Sequence, residues 1–255
     1  MQTLGEDLLL LAVRPNGTLG VAAKLRFGLS GSELVRLAAA RRVDIARGRI
    51  VVLDAAPTGD PMLDAALGSM QDRRREPAAK AWVARSRPGL VERYLDRLAA
   101  AGTIRPERRK VLGFLPVTRW VVVDTARLAG ARAKLDAIAS GSGSIDAEQA
   151  AYAGLAGAIG LTSLIYPGVA GAAARKRLKD AARRDRQAKA VADAADSGDA
   201  AARAATGAAL DASVRAATEA AVSAAVDAAT AAAVSAATEA AHHAAAHGGA
   251  AGGHH

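Results

Sequence analysis

DAAPTGDPMLDAAL, residues 54–67, is a loop that leads directly into a helix. Pro57 and Gly59 favour a turn, and the pair Asp60-Pro61 is typical of a helix start. The Asp60 carboxylate would cap the first turn, and Pro61 would be the first helical residue because its missing amide hydrogen is not needed there. This stretch therefore predicts a helix from Pro61 to about Gln71.

The sequence before this loop predicts two helices and a hairpin. Residues 3–6 and 30–33 both have the Ser/Thr-x-x-Glu pattern of a capping box. The first predicts a short buried helix that ends before a turn at residues 15–17, and the second predicts a helix that extends to about Arg42. Residues 43–53 are typical of a small β-hairpin.

The sequence after the loop predicts further helices and a second hairpin. Helices are expected over about 77–85, 90–101 and 125–139, and Gly102 would end the second of them. Strands at residues 103–105 and 111–115 would form the hairpin. Its tip would then be basic, with Arg108, Arg109 and Lys110.

Residues 150–174 contain no charged side chain. A segment of this length can span a membrane. Ala and Gly dominate it, however, and Pro167-Gly168 interrupts it, so we favour a core helix that packs through small residues. A basic helix is expected to follow, to about residue 195.

The C-terminal part of the chain is of low complexity. From Leu210 to His242, a Leu, Val, Thr or His recurs every four residues among alanines. A four-residue step advances about 40° beyond one helical turn, so this stripe winds around a helix and gives no lasting face. We therefore expect a mainly α, compact single domain with small β-hairpins at 1–195, and an Ala-rich tail at 196–255 that is disordered or partly helical.

The charge is unevenly distributed along the chain. The formal net charge is +9. From residue 196 onward there are six acids and two bases, which leaves 32 bases and 19 acids in the preceding body. A strongly basic body attracts polyanions, either nucleic acid or anionic lipid.

The composition argues against an enzyme. The chain has no Cys, and its five His residues all lie in the tail, so the body lacks the two commonest side chains of nucleophilic and acid–base catalysis. Asp60 and Asp64 are four residues apart on one helix, but helix capping and solvation explain both. His243 and His247 make only a weak metal pair. We therefore expect no catalytic residue, no metal site and no cofactor. We also expect a cytoplasmic protein, because the chain has no Cys and residues 1–14 do not have the pattern of a signal peptide.

Four segments, in the same order, carry a resemblance to a known family. They are LGEDLLLL at 4–11, GLSGSELVRLAAARRV at 28–43, DAAPTGDPMLDAAL at 54–67 and LAAAGTI at 98–104. The third is the most specific, because a very similar DAPTGD…LLDEAL stretch occurs in the Golgi phosphoprotein 3 (GPP34) family. The chain resembles that family over about residues 1–180, and the tail has no counterpart in it.

The resemblance implies a peripheral membrane protein that binds phosphatidylinositol 4-phosphate. Members of the family hold the head group with one Trp and three Arg. At the corresponding positions this chain has other residues, namely Val21, Ser30, Pro88 and Val91. Basic residues nearby could hold a phosphate instead, and the head-group candidates are Arg26, Arg85, Arg87 and Arg93.

The resemblance also implies a role for the second hairpin. In the family this hairpin inserts apolar residues into membranes or forms oligomer contacts. The membrane-contact candidates here are Leu112, Phe114, Leu115 and Trp120. The alternative is a hairpin that packs against the protein's own core.

Two other functions are also consistent with the sequence. The order of a helix at 90–101 and a following hairpin is also that of a winged helix, so duplex nucleic acid is a second, less favoured partner. The helix offers few side chains that could read base edges. The third possibility is an adaptor that binds protein tails, as relatives bind glycosyltransferases.

Overall fold

The computed structural model describes residues 3–46, 48–71, 76–111, 115–141, 143–195, 220 and 222–223, with the backbone alone at 111, 115–116 and 184–195. Most of this part is helical, as the sequence predicts. The helices are α1 (Leu4–Ala12), α2 (Ala22–Ala39), α3 (Pro61–Gln71), α4 (Ala79–Arg85), α5 (Leu90–Ala100), α6 (Thr125–Ser140), α7 (Ala147–Ala158), α8 (Leu161–Ile165) and α9 (Ala172–Ala195). Two antiparallel hairpins complete it, β1 (Val43–Ala46) with β2 (Arg49–Val52), and β3 (Ile104–Val111) with β4 (Leu115–Val122).

Helix α1 lies at the centre of the core. All of its residues are buried, and it contacts α2, α5, α6, α7 and α8. Its start is the predicted one, because the Thr3 hydroxyl accepts a hydrogen bond from the Glu6 amide at 3.3 Å. Two acids, Glu6 and Asp7, are buried with the leucines, so partners from other helices must neutralise them.

Helix α2 is longer than the sequence predicts. The predicted start at residues 30–33 is wrong, because the helix begins at Ala22 and passes through them without a break. Ser32 does not cap a helix end, since its hydroxyl donates to the Leu29 carbonyl one turn earlier, at 2.8 Å. Glu33 is completely buried. A polar quartet that looks like a helix start is therefore part of a buried helix face.

The loop at 54–60 and helix α3 are as predicted. Asp60 caps the helix, with its Oδ1 accepting from the Met62 amide at 3.0 Å, and Pro61 is the first helical residue. The apolar face of α3 packs against α2 and β2. Five of its side chains are buried there, Met62, Leu63, Ala66, Leu67 and Met70.

The second hairpin follows α5 after Gly102, whose φ of +68° suits a glycine at a helix end. The predicted basic tip is wrong, because Arg108, Arg109 and Lys110 pair within the β3–β4 ladder. Residues 112–114, between the two strands, lie outside the described residues. Strand β4 is anchored to the body where the Trp120 amide donates to the Gly17 carbonyl at 2.9 Å.

The uncharged stretch at 150–174 does not form one helix. Gly160, with a φ of +80°, separates α7 from α8, and Pro167-Gly168 lies before α9. The prediction of close packing holds for α7, in which residues 150–156 are all buried. Within the described ranges, no helix has the length and apolar character needed to cross a membrane.

Candidate functional site

The loop at 54–60 is held by its own side chains. Asp54 accepts from Arg42, and its Oδ1 also accepts from the Ala56 amide at 2.9 Å. The Thr58 hydroxyl and amide both donate to Asp64 Oδ1 at 2.6 Å. These hydrogen bonds lower the pKa of Asp64. The polar residues of this motif therefore fix a backbone shape.

Asp60 ties three helices together. Besides capping α3, it accepts from Arg36 of α2 at 2.9 Å and from Arg97 of α5 at 2.7 Å. Burial alone would raise the pKa of Asp60, but the hydrogen bonds from Arg97 and Arg36 outweigh it and lower the pKa. The carboxylate therefore stays ionised and serves as a structural anion.

The same network continues to the central helix. Arg97 Nε lies 2.7 Å from Glu6 Oε1, and the other oxygen of Glu6 accepts from Arg127 of α6. Arg127 also donates to the Thr103 hydroxyl at 2.9 Å. On the other side of α1, Lys134 neutralises Asp7 at 2.6 Å. Both buried acids of α1 are thus paired, which explains how they are tolerated in the core.

This network gives Asp60 and Asp64 structural roles. Neither carboxyl has the raised pKa that suits a general acid, and both are occupied by donors from the protein. Among the described residues, no group of three or more His, Asp or Glu could hold a metal ion. His243 and His247 lie outside the described residues.

A second buried ion pair joins α2 to the loop between α4 and α5. Arg87 donates to Glu33 Oε1 at 2.6 Å and to the Met62 carbonyl at 3.4 Å. Burial raises the pKa of Glu33 to about 7, although Arg87 and Arg36 act to lower it. Burial and the nearby Glu33 also raise the pKa of Tyr94. Glu33 is therefore a carboxyl whose charge depends on pH near neutrality.

Ser30 and Ser86 bring two regions of the sequence together. The Ser30 hydroxyl donates to the Ser86 hydroxyl at 3.3 Å, so α2 meets the loop that carries residues 86–89. Ser30 and Pro88, which the resemblance aligns with two head-group arginines, thus lie on elements that touch. Ser86 has a φ of +45° and a ψ of 147°, a backbone conformation that residues other than glycine rarely adopt.

Three of the four head-group candidates are exposed, and two of them, Arg26 and Arg85, adjoin this junction in the sequence. Arg26 lies one turn before Ser30 on α2, where residues four apart are neighbours. Its guanidinium lies 4.6 Å from the ring centroid of Phe27. Arg85 directly precedes Ser86, and Arg93 is exposed in the second turn of α5. Arg87 differs from them, since its side chain is only 15% exposed and is engaged by Glu33.

The structure describes only part of the predicted membrane-contact hairpin. Leu112 and Phe114 lie outside the described residues, and Leu115 is described by its backbone, which pairs with Val111. Trp120 pairs with Pro106 and packs, half-buried, against the core. Trp120 therefore has a structural contact of its own, whatever the end of the hairpin does.

The exposed part of the hairpin is basic. Arg105 and Arg109 both bind Glu107, at 3.0 and 3.1 Å, and their hydrogen bonds lower the pKa of that carboxyl. Arg108 and Lys110 are exposed on β3. Strand β3 thus has four bases and one acid, which gives the hairpin a positive surface next to the turn at residues 15–17.

The family model for Golgi phosphoprotein 3 (GPP34) matches residues 4–197. The chain belongs to this family. A search of curated proteins found no match to the chain. The family match covers the helical body and includes the DAAPTGDP motif, the Ser30–Ser86 junction and the basic hairpin. The prediction of a GPP34-type helical fold is therefore confirmed.

Sequence reasoning missed the residues that hold the GPP34 body together. Nothing in the sequence separates Arg36, Arg97 and Arg127 from the other bases, and Glu33 belongs to the predicted capping box at residues 30–33. The signal that could have found them is the pair of acids in the apolar segment 4–12, since buried acids require basic partners. The head-group candidates stay predictions.

Proposed function

We propose that this protein is a non-enzymatic, peripheral membrane protein that binds anionic phospholipid at the Ser30–Ser86 junction. The observation that carries the proposal is the hydrogen bond between these hydroxyls, because it joins the helix that carries Arg26 to the loop that follows Arg85. Arg93, exposed on α5, is a further candidate base. GPP34 family membership supports the same conclusion.

Arg26, Arg85 and Arg93 differ from several other arginines of the body in their ion pairing. Among the described ion pairs, none uses Arg26, Arg85 or Arg93, whereas Arg36, Arg87, Arg97 and Arg127 all face carboxylates. The planar guanidinium suits bidentate contact with a phosphate. Each well-placed base contributes roughly 1 kcal/mol of attraction to an anionic surface.

The preferred head group would be a phosphate monoester on inositol, as in phosphatidylinositol 4-phosphate. The side chains at Val21, Pro88 and Val91 supply no charge, so the displaced arginines and the half-buried Ser86 would have to hold the phosphate. A monoester carries more charge than the diester of other anionic lipids and would gain most from several guanidinium groups. The protein would act on the cytoplasmic side of a membrane.

Vesicle co-sedimentation tests the proposal. Vesicles of neutral lipid, phosphatidylglycerol, phosphatidylinositol and phosphatidylinositol 4-phosphate would be compared at low and physiological salt. We expect binding only to the anionic vesicles, strongest for the 4-phosphate. Equal binding to neutral and anionic vesicles would overturn the proposal, and shifts on duplex DNA without lipid binding would favour a nucleic-acid partner instead.

A matched pair of double variants locates the site. Arg26→Glu with Arg85→Glu reverses charge at the junction, and Arg14→Glu with Lys176→Glu makes the same change in net charge at exposed bases elsewhere. We expect the junction variant to lose at least tenfold in affinity and the other variant to lose much less. Equal losses would mean that only net charge matters and that the junction is not a site.

A further inference from the structure

A groove lies between α7, α8 and α9. Its volume is about 540 Å³. On α7 it is lined by residues without bulk, which leave the helix surface open. They are Ala153, Gly154, Gly157 and Ala158. On α9 the lining is basic, with Arg175, Lys179 and Arg183 around Leu178. The groove is thus apolar and shallow on one side and positively charged on the other.

A residue of the C-terminal tail lies at this groove. Val222 lines the same cavity. Both Ala220 and Val222 are partly buried and pack against the hydrophobic core of the body. Ala220, Val222 and Ser223 are helical. These contacts are between the body and a segment far beyond the end of α9 in the sequence.

We propose that the tail segment around Val222 is the intramolecular occupant of this groove. Val222 forms one wall of the groove, together with the small residues of α7 and the bases of α9. The tail is therefore a docked part of the molecule at this point. This inference is independent of lipid binding, since it involves neither the Ser30–Ser86 junction nor the basic hairpin.

The charges of the two partners are complementary. The tail from residue 196 has six acids and two bases, and two of these acids, Glu219 and Asp227, lie close to Val222 in the sequence. The groove supplies three bases from α9, one turn or so apart. The opposite charges attract the segment to the groove, and burial of Val222 adds an apolar contact.

The size of the side chains also fits. Between residues 210 and 242 the tail has a Leu, Val, Thr or His at every fourth position and mostly Ala between them. Such a segment can approach a Gly- and Ala-lined surface closely, because neither partner has bulky side chains.

The chain is long enough to make this contact without strain. The rise along α9 from Ala195 back to Arg183 is about 18 Å. Residues 196–221 would span roughly 85 Å if fully extended. The connecting segment can therefore reverse direction and return to the groove with ample slack.

Cross-linking of the full chain tests the inference. The chain has no Cys, so a pair of introduced cysteines is the only pair present. Ser163→Cys places a thiol on the exposed lining of the groove, and Val222→Cys places one on the proposed occupant. With a short bismaleimide, we expect a rapid cross-link within one molecule, seen by intact mass as a monomer that has gained one linker.

The matched control is Ser163→Cys with Thr238→Cys, which places the second thiol elsewhere on the same tethered tail. Tethering raises the local concentration of both tail thiols, so the control shows how fast an undocked tail thiol reacts. We expect the Val222 pair to react at least tenfold faster, because docking would hold its thiol at the groove. Equal rates would overturn the proposal. A cross-linked dimer would overturn it too, because the occupant would then be a second copy of the chain.

Reversal of the groove's charge gives a second readout. In the Ser163/Val222 cysteine pair, Lys179→Glu with Arg183→Glu should slow cross-linking at least threefold at low salt, and 1 M salt should reduce that difference. A rate that does not respond to charge would contradict the electrostatic part of the inference. Circular dichroism of each variant would confirm that the helical body is intact.

Discussion

Arg97 Nη1 lies 2.7 Å from Asp60 Oδ1, the same oxygen that accepts a hydrogen bond from the Met62 amide at the start of α3. One carboxylate is therefore both a helix cap and the partner of a guanidinium from α5. Arg36 of α2 binds its other oxygen. The most specific motif of the sequence is thus explained by the way it joins α2, α3 and α5.

Two substitutions of Asp60 should separate its roles. Asp60→Asn keeps an oxygen that can cap α3 but removes the charge, and we expect it to lower the free energy of unfolding by about 2–3 kcal/mol. Asp60→Ala removes the cap as well and should cost about 1 kcal/mol more. Urea unfolding measures both, with Asp96→Asn on the exposed face of α5 as the control, expected to change stability by less than about 0.5 kcal/mol.

The effect of Asp60 should also depend on pH. Hydrogen bonds from Arg97 and Arg36 lower its pKa in the folded state below the value in the unfolded chain. The stability that the charge contributes is therefore present at neutral pH and is lost as the pH falls through the folded-state pKa. The gap between the natural protein and Asp60→Asn should narrow in acid, and a constant gap would contradict the assignment.

Glu33 should show the opposite pH dependence. Its pKa is raised by burial to about 7 in the folded protein, above the ordinary value of 4.5. The folded state then holds the proton more tightly, so this contribution is fully present below about pH 4.5 and is lost as the pH rises through 7. Relative to Glu33→Gln, the natural protein should lose stability between pH 5 and about pH 8.

Unfolding in urea at several pH values checks this prediction. Glu92→Gln, at an exposed position of α5, is the control and should leave the pH profile unchanged. Parallel profiles for the natural protein and Glu33→Gln would show that Glu33 stays ionised in the core, held by Arg87.

Gly5 should tolerate no side chain. A Cβ at this position would lie 2.6 Å from the Ser32 hydroxyl and 2.7 Å from the Tyr94 hydroxyl, both in the buried core. Gly5→Ala should therefore destabilise the protein by about 1–3 kcal/mol. Gly68→Ala is the matched control, because a Cβ there meets nothing within 4 Å, and it should stabilise α3 by about 0.5–1 kcal/mol. Thermal unfolding of both variants decides, and an unchanged melting temperature for Gly5→Ala would refute the predicted clash.

Arg85 and Arg87 should differ although they are two residues apart. Arg87→Ala leaves Glu33 buried without its partner and should cost about 3 kcal/mol of stability. Arg85→Ala should leave stability within about 0.5 kcal/mol but lower affinity for anionic vesicles about fivefold, the equivalent of about 1 kcal/mol. Unfolding and co-sedimentation on the same preparations test both. A stable Arg87→Ala with weak lipid binding would reassign Arg87 to the head group.

The sequence correctly predicts those helix starts and ends that are determined by residues close by in the chain. Thr3 and Asp60 cap helices as expected, and Gly102 separates α5 from the second hairpin. Each of these features needs only contacts within a few residues, and their residue types are specific to the job. The order of segments also identified the family.

The errors came from contacts that the sequence does not show. Residues 30–33 have the composition of a helix start, but Ser32 satisfies its hydroxyl within the helix and Glu33 finds Arg87 from another element. The basic tip was misplaced because strand register is set by pairing across the hairpin. The sequence identifies candidate arginines, but it does not show that Arg87 among them binds the buried carboxylate of Glu33.

The second hairpin also has a consequence for association between molecules. The outer edges of a two-stranded sheet can pair with the strands of another copy, and here the edge of β4 is covered at Trp120, whose amide binds Gly17. Strands β3 and β4 each contain a proline, Pro106 and Pro116, and β3 places Arg108 and Lys110 at exposed positions. Prolines and like charges on edge strands oppose such pairing. We therefore expect the residues that give the hairpin its positive surface also to oppose aggregation of concentrated copies through it, and high salt to weaken this effect.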